Sequence, residues 1–202
     1  MRTLLLAGLL LALPTAAAAR PVLALRLGYA VADGNAAKDI TMSEVAKSEV
    51  PIQLDAMWKF PPHFSLGLYY SYGFGQLGGQ ASDECDAAGA SCSVSTMRLG
   101  GLATYELQDA WWRLSPWIGA GLGYEWVREK ATLGGRSGTQ DLSGWEYFNV
   151  EVGGDVKVAP KVAVGPYVSF RLGRYSSLDG YGIANKGYHD WLGFGVRGKY
   201  DL

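Results

Sequence analysis

The stretch Trp191-Leu192-Gly193-Phe194-Gly195-Val196-Arg197-Gly198-Lys199-Tyr200-Asp201-Leu202 decides the fold. Every second residue from Leu192 onward is apolar, apart from Gly198. Between them stand Trp191, Gly193, Gly195, Arg197, Lys199 and Asp201. A period of two is a β-strand with one apolar face and one face of small and charged groups. A long strand carries a row of backbone donors and acceptors along each edge. Closing against the first strand of the chain satisfies the second row.

Working back from this closing strand, the same period returns seven times, at about 22–31, 50–60, 64–75, 94–107, 114–126, 145–158 and 162–172. Short connections at Pro61-Pro62-His63, 108–112 and Ala159-Pro160-Lys161 alternate with long ones at 32–48, 76–93, 127–144 and 173–186. Proline marks two of the short turns because it cannot continue a hydrogen-bonded ladder. No helical period of useful length lies between the strands. Hairpin connections make neighbours antiparallel. The expected fold is all-β: an eight-stranded antiparallel up-and-down barrel with every long loop at one end.

The first residues read as a targeting segment. Arg2 gives a positive start, residues 4–13 form an apolar run, Pro14 breaks it, and Ala17-Ala18-Ala19 offers small residues for cleavage. The run is too short to cross a bilayer as a helix, so residues 1–19 are expected to be a signal peptide and 20–202 the barrel domain. A net charge of −1 argues against a nucleic-acid partner. With 28 Gly, 12 Tyr and 7 Trp the composition is that of a strand-rich protein.

Alternation alone does not say which face looks inward. A soluble, lipocalin-like ligand carrier has its apolar face inside, and a membrane barrel has it outside. Three features favour the membrane. Aromatic residues lie towards the strand ends: Trp58, Phe60, Phe64, Tyr105 and Tyr200 at the short-turn end, with Trp111 and Trp112 in the turn. Tyr70, Tyr72, Phe74, Tyr124, Trp126 and Phe148 are expected at the long-loop end. Two such girdles flanking an aliphatic band suit the two interfaces of a bilayer. The polar face is rich in glycine and carries charges of both signs: Arg26, Asp55, Arg98, Glu125, Glu151, Asp155, Arg171 and Arg197, with Lys59, Lys157, Lys199 and Asp201 in the same register. Confined charges need partners, and this set supplies them as a lumen network. Strands of roughly 11 residues also match the ~9–11 that cross hydrocarbon with tilt.

The glycine-laced strand Ser115-Pro116-Trp117-Ile118-Gly119-Ala120-Gly121-Leu122-Gly123-Tyr124, together with the closing strand, resembles the small outer-membrane barrels typified by the OmpA membrane domain, OmpX and OmpW. The resemblance implies a Gram-negative outer membrane, lipid around the barrel, assembly by the barrel insertion machinery, and a monomer. Leu202 stands where that family's insertion signal usually has phenylalanine.

Cys85 and Cys92 are the only cysteines, and in an exported chain such a close pair reads as a disulfide. Without a neighbouring histidine they do not form a tetrahedral metal site. His189, beside Asp190 and downstream of Ser176 and Ser177, is a conceivable catalytic site for an envelope lipid enzyme, but the spacing matches no nucleophile motif. Leu133-Gly134-Gly135-Arg136-Ser137-Gly138 lacks the lysine of a phosphate loop and reads as a mobile loop. No cofactor is implied. An eight-stranded interior is filled by side chains. The expected role is therefore structural or interactive, through four extracellular loops, with a narrow channel for small or hydrophobic solutes as the alternative.

Overall fold

A computed structural model of the chain describes residues 19–37, 40–107, 114–183 and 186–202. The targeting segment, apart from Ala19, and Trp111 and Trp112 lie outside the described residues.

Eight long strands make the molecule: β1 (Arg20–Ala37), β2 (Ala46–Phe60), β3 (Phe64–Leu77), β4 (Ser91–Glu106), β5 (Leu114–Leu133), β6 (Arg136–Ala159), β7 (Val162–Leu178) and β8 (His189–Asp201). Each pairs antiparallel with the next. β8 pairs with β7 and also with β1, in a register running from Val22 opposite Asp201 to Gly34 opposite His189. The ring is closed, and no long edge is left along the barrel wall.

Side-chain direction settles the faces. Leu25, Leu68, Ile118 and Phe194 point outward and are each more than half exposed, while Arg26, Arg98 and Arg197 point inward and are fully buried. An apolar belt outside and charges inside is the reverse of a soluble carrier. That alternative is therefore set aside. Inward glycines make room for the large inward rings. Gly100 lies beneath Tyr69, where an added Cβ would come within 2.6 Å of the ring. Gly153 lies beneath Trp117 at the same 2.6 Å.

The segments expected to be long loops are largely ordered structure. Residues 133–138, read as a mobile loop, are instead the tip of a hairpin: β5 and β6 continue past the barrel rim, turning at Gly134 and Gly135. Both glycines have positive φ (56° and 80°), which the two-residue hairpin turn requires and a side chain resists. Near its base Arg128 binds Asp141 through two hydrogen bonds of 2.7 and 2.8 Å. The hydrogen bonds from Arg128 hold the Asp141 carboxyl below the usual carboxylate range. Both side chains are solvent-exposed, so the pair orders the hairpin more than it stabilises it.

Two helices fill the other gaps. α1 (Met42–Val45) is a single turn closed by a capping box between Thr41 and Glu44. α2 (Gly79–Ala88) ends at Gly89 in the left-handed conformation. Ile40–Thr41 and Tyr181–Gly182 add two-residue strands beside β1 and β7.

Candidate functional site

The interior is the chemically dense part of the molecule, and it is arranged in tiers. Nearest the short turns, Glu106 accepts from Lys59 at 2.7 Å and from Lys199 at 2.6 Å. Arg197 pairs with Asp155 and lies over the Trp117 indole, 3.7 Å from its centroid. The indole Nε1 in turn donates to Asp155 at 3.1 Å.

In the middle tier Arg26 donates to Asp55 at 2.7 Å and spans the lumen to Glu151. Gln53 donates to Asp55 at 2.8 Å and accepts from Arg171 at 2.7 Å. Towards the long loops Arg98 pairs with Glu49 at 2.6 Å and with Glu125 at 3.1 Å. Glu125 also accepts from Tyr175 at 3.0 Å and from Trp191 at 3.1 Å. Glu146 accepts from Tyr69 at 2.7 Å and lies 3.9 Å from both Arg98 and Arg171.

Several of these bonds, Arg26 to Glu151, Lys199 to Glu106, Arg171 to Gln53 and Tyr69 to Glu146, join strands that are not neighbours in the ring. Removed from water, each charge depends on its partners, so the tiers hold one another in place. Above them an apolar cap of Met42, Val45, Ala46, Val94, Val127 and Trp191 closes the long-loop end, with Leu77, Leu142 and Ile183 packed against it. At the other end a mouth of about 930 Å³ opens, with Lys59, Glu106, Asp155 and Lys199 among its lining residues.

All eight charged residues singled out in the sequence point into the lumen and are buried. Lys157 shares their register but is exposed at the mouth, where the β6–β7 pairing shifts. Four further members escaped sequence reading. Glu49 precedes the first apolar residue of its strand and Glu106 follows the last inward residue recognised. His189 has the inward parity of β8 but abuts a loop. Glu146 has the wrong parity, because a bulge between Glu146 and Phe148 turns both Tyr147 and Phe148 outward.

His189 does not assemble a catalytic pair with Ser176 or Ser177. It points inward, is buried, stacks on Tyr175 at 4.0 Å and meets Glu125 at 3.1 Å. Asp190 lies on the opposite face of the same strand.

The girdle residues all face outward. At the long-loop end Tyr72 and Phe74 lie 5.1 Å apart, and Tyr124 packs against Trp126 and Trp145 at 4.7 and 5.4 Å.

Cys85 and Cys92 are disulfide-bonded, joining α2 to the start of β4. The bond closes a short ring outside the barrel ladder, so its effect is local. Replacing both cysteines with serine is expected to expose residues 79–91 to protease while leaving the detergent unfolding midpoint of the barrel unchanged. A large fall in that midpoint would place the bond in the fold itself.

No protein-family model matches the chain. Nor does any curated protein. Solved structures do share its fold. Neisserial surface protein A is 16% identical with a TM-score of 0.51, over 87% of this chain and 95% of that one. The outer membrane protein OprG from Pseudomonas aeruginosa is 12% identical with a TM-score of 0.50, over 91% and 97%. A major outer membrane protein from Thermus thermophilus is 11% identical with a TM-score of 0.55, over 90% and 99%. The chain has the fold of the small outer-membrane β-barrels.

Proposed function

We propose that this chain is an integral outer-membrane protein of a Gram-negative envelope, exported by residues 1–19 and embedded as a monomer through residues 20–202. Its role is structural or interactive, without catalysis. The observation that carries this reading is the inside-out barrel: apolar side chains ring the outside and paired charges fill the inside. The short-turn end then faces the periplasm, as in the barrels it resembles, and the insertion machinery is its assembly partner. The surface offered to the outside is the cap, α2 and the β5–β6 hairpin. A disulfide and a salt bridge support the presentation of this surface to an extracellular partner.

Two measurements test the reading. The folded protein should need detergent and should migrate differently before and after heating, because a closed ladder resists detergent until heat opens it. A chain that stays soluble without detergent overturns the membrane assignment. In planar bilayers it should pass no steady ionic current, because cross-lumen ion pairs and the apolar cap lie in series along the axis. Sustained conductance steps would favour the narrow channel instead.

A further inference from the structure

The outward face of β7 carries one arginine that has aromatic neighbours but, among the described residues, no carboxylate partner. Arg174 follows Phe170 and Leu172 on the lipid side and stands at the long-loop rim. On one side its register partner is Trp145 of β6. On the other its guanidinium lies over the Tyr188 ring, 5.1 Å from the centroid, with Nη1 3.5 Å from the phenol oxygen.

The β6 bulge that turns Tyr147 outward brings it within 6.1 Å of the Tyr188 ring. The backbone of Tyr188 is fixed by a 2.7 Å bond from Asn35 of β1. Arg174 thus lies against the Tyr188 ring, with Tyr147 beside that ring and Trp145 next to Arg174 in register, all three rings half-exposed.

Among the described residues no carboxylate lies within ion-pair distance of Arg174, whereas Arg128, the other outward arginine of this rim, is satisfied by Asp141. Asp190 also faces outward, on β8 opposite Leu172, but makes no ion pair with Arg174. A guanidinium at the edge of hydrocarbon needs an anion, and an aromatic frame at that depth matches the headgroup level of a bilayer. The planar fork of arginine suits phosphate oxygens in particular.

We propose that Arg174, framed by Trp145, Tyr147 and Tyr188, is a site for the phosphate monoester headgroup of a membrane lipid. The rings hold the sugar or glycerol body and the first methylenes, and the guanidinium takes the phosphate. The proposal rests on the bilayer-spanning reading above.

Native mass spectrometry of the folded protein in detergent tests it, with phosphatidic acid and phosphatidylcholine of identical chains as probes. The wild type should retain phosphatidic acid preferentially. Arg174→Gln should lower that retention about fivefold, the factor expected for one basic group at an anionic surface. Arg128→Gln should leave it unchanged. Millimolar inorganic phosphate should not displace the lipid.

Equal retention by the wild type and Arg174→Gln overturns the site. Displacement by inorganic phosphate makes it a free-anion site and overturns the lipid assignment. A preference that appears only in Asp190→Asn means that Asp190 occupies Arg174 in the native protein, and it overturns the proposal too. Loss of the heat-modified band would instead fail the membrane reading, a separate result.

Discussion

Arg98→Leu is expected to destabilise the folded barrel by about 3–5 kcal/mol, the cost of leaving buried charges without their partner. Arg98 is fully buried, donates to Glu49 and Glu125 from one guanidinium, and lies 4.9 Å from the Trp191 ring centroid. Its removal leaves two carboxylates facing one another in a confined space. Glu125 keeps Tyr175, Trp191 and His189, but Glu49 keeps only Thr96 as a side-chain partner among the described bonds. Adding Glu49→Gln should therefore recover part of the loss. The denaturant midpoint of the detergent-folded protein, followed by the heat-modified band, reads both effects. A midpoint for Arg98→Leu within error of wild type would mean that water enters and solvates this tier. The lumen would then not be filled as described.

The same network shows what a sequence discloses and what it hides. Parity along a strand assigns Arg26, Asp55, Arg98, Glu125, Glu151, Asp155, Arg171 and Arg197 to one face, because the other face is an unbroken apolar belt, as the proposed bilayer setting requires. The rule is strict where one face meets hydrocarbon and fails where it does not. Glu146 is lost to it because the neighbouring bulge inserts one residue and reverses the count. The β5–β6 hairpin is lost because both of its faces are largely exposed beyond the barrel rim, so residues 127–144 show no alternation although they form ladders. Helix α2 is short and polar, and its sequence Gly79-Gln80-Ala81-Ser82-Asp83-Glu84-Cys85 carries no apolar stripe. Which carboxylate meets which arginine is a matter of register and of long side chains reaching across the ring. Arg26 reaching Glu151, 125 residues away in the chain, is invisible to any local pattern.

Val152→Lys and Glu151→Ala, at adjacent positions on β6, test the two faces against each other. Val152 is 48% exposed, points outward and pairs in register with Ile118 and Val168, two aliphatic residues of the belt. A lysine there faces the middle of the bilayer and should cost roughly 2–4 kcal/mol. Val152→Ala keeps the surface apolar and should cost much less. Glu151 is fully buried, and its carboxylate receives Arg26 from across the lumen. Its removal leaves Arg26 with Asp55 as its one carboxylate partner among the described residues, beside the Trp117 and Tyr167 rings. Glu151→Ala should therefore lower the unfolding midpoint more than Val152→Ala does, although it removes a charge and not an apolar side chain. In a water-soluble barrel Val152→Lys would instead add a harmless surface charge and cost little. If Val152→Lys folds and unfolds like the wild type while Glu151→Leu abolishes folding into detergent, the outer face does not meet lipid. The bilayer assignment then fails together with the lipid site at Arg174.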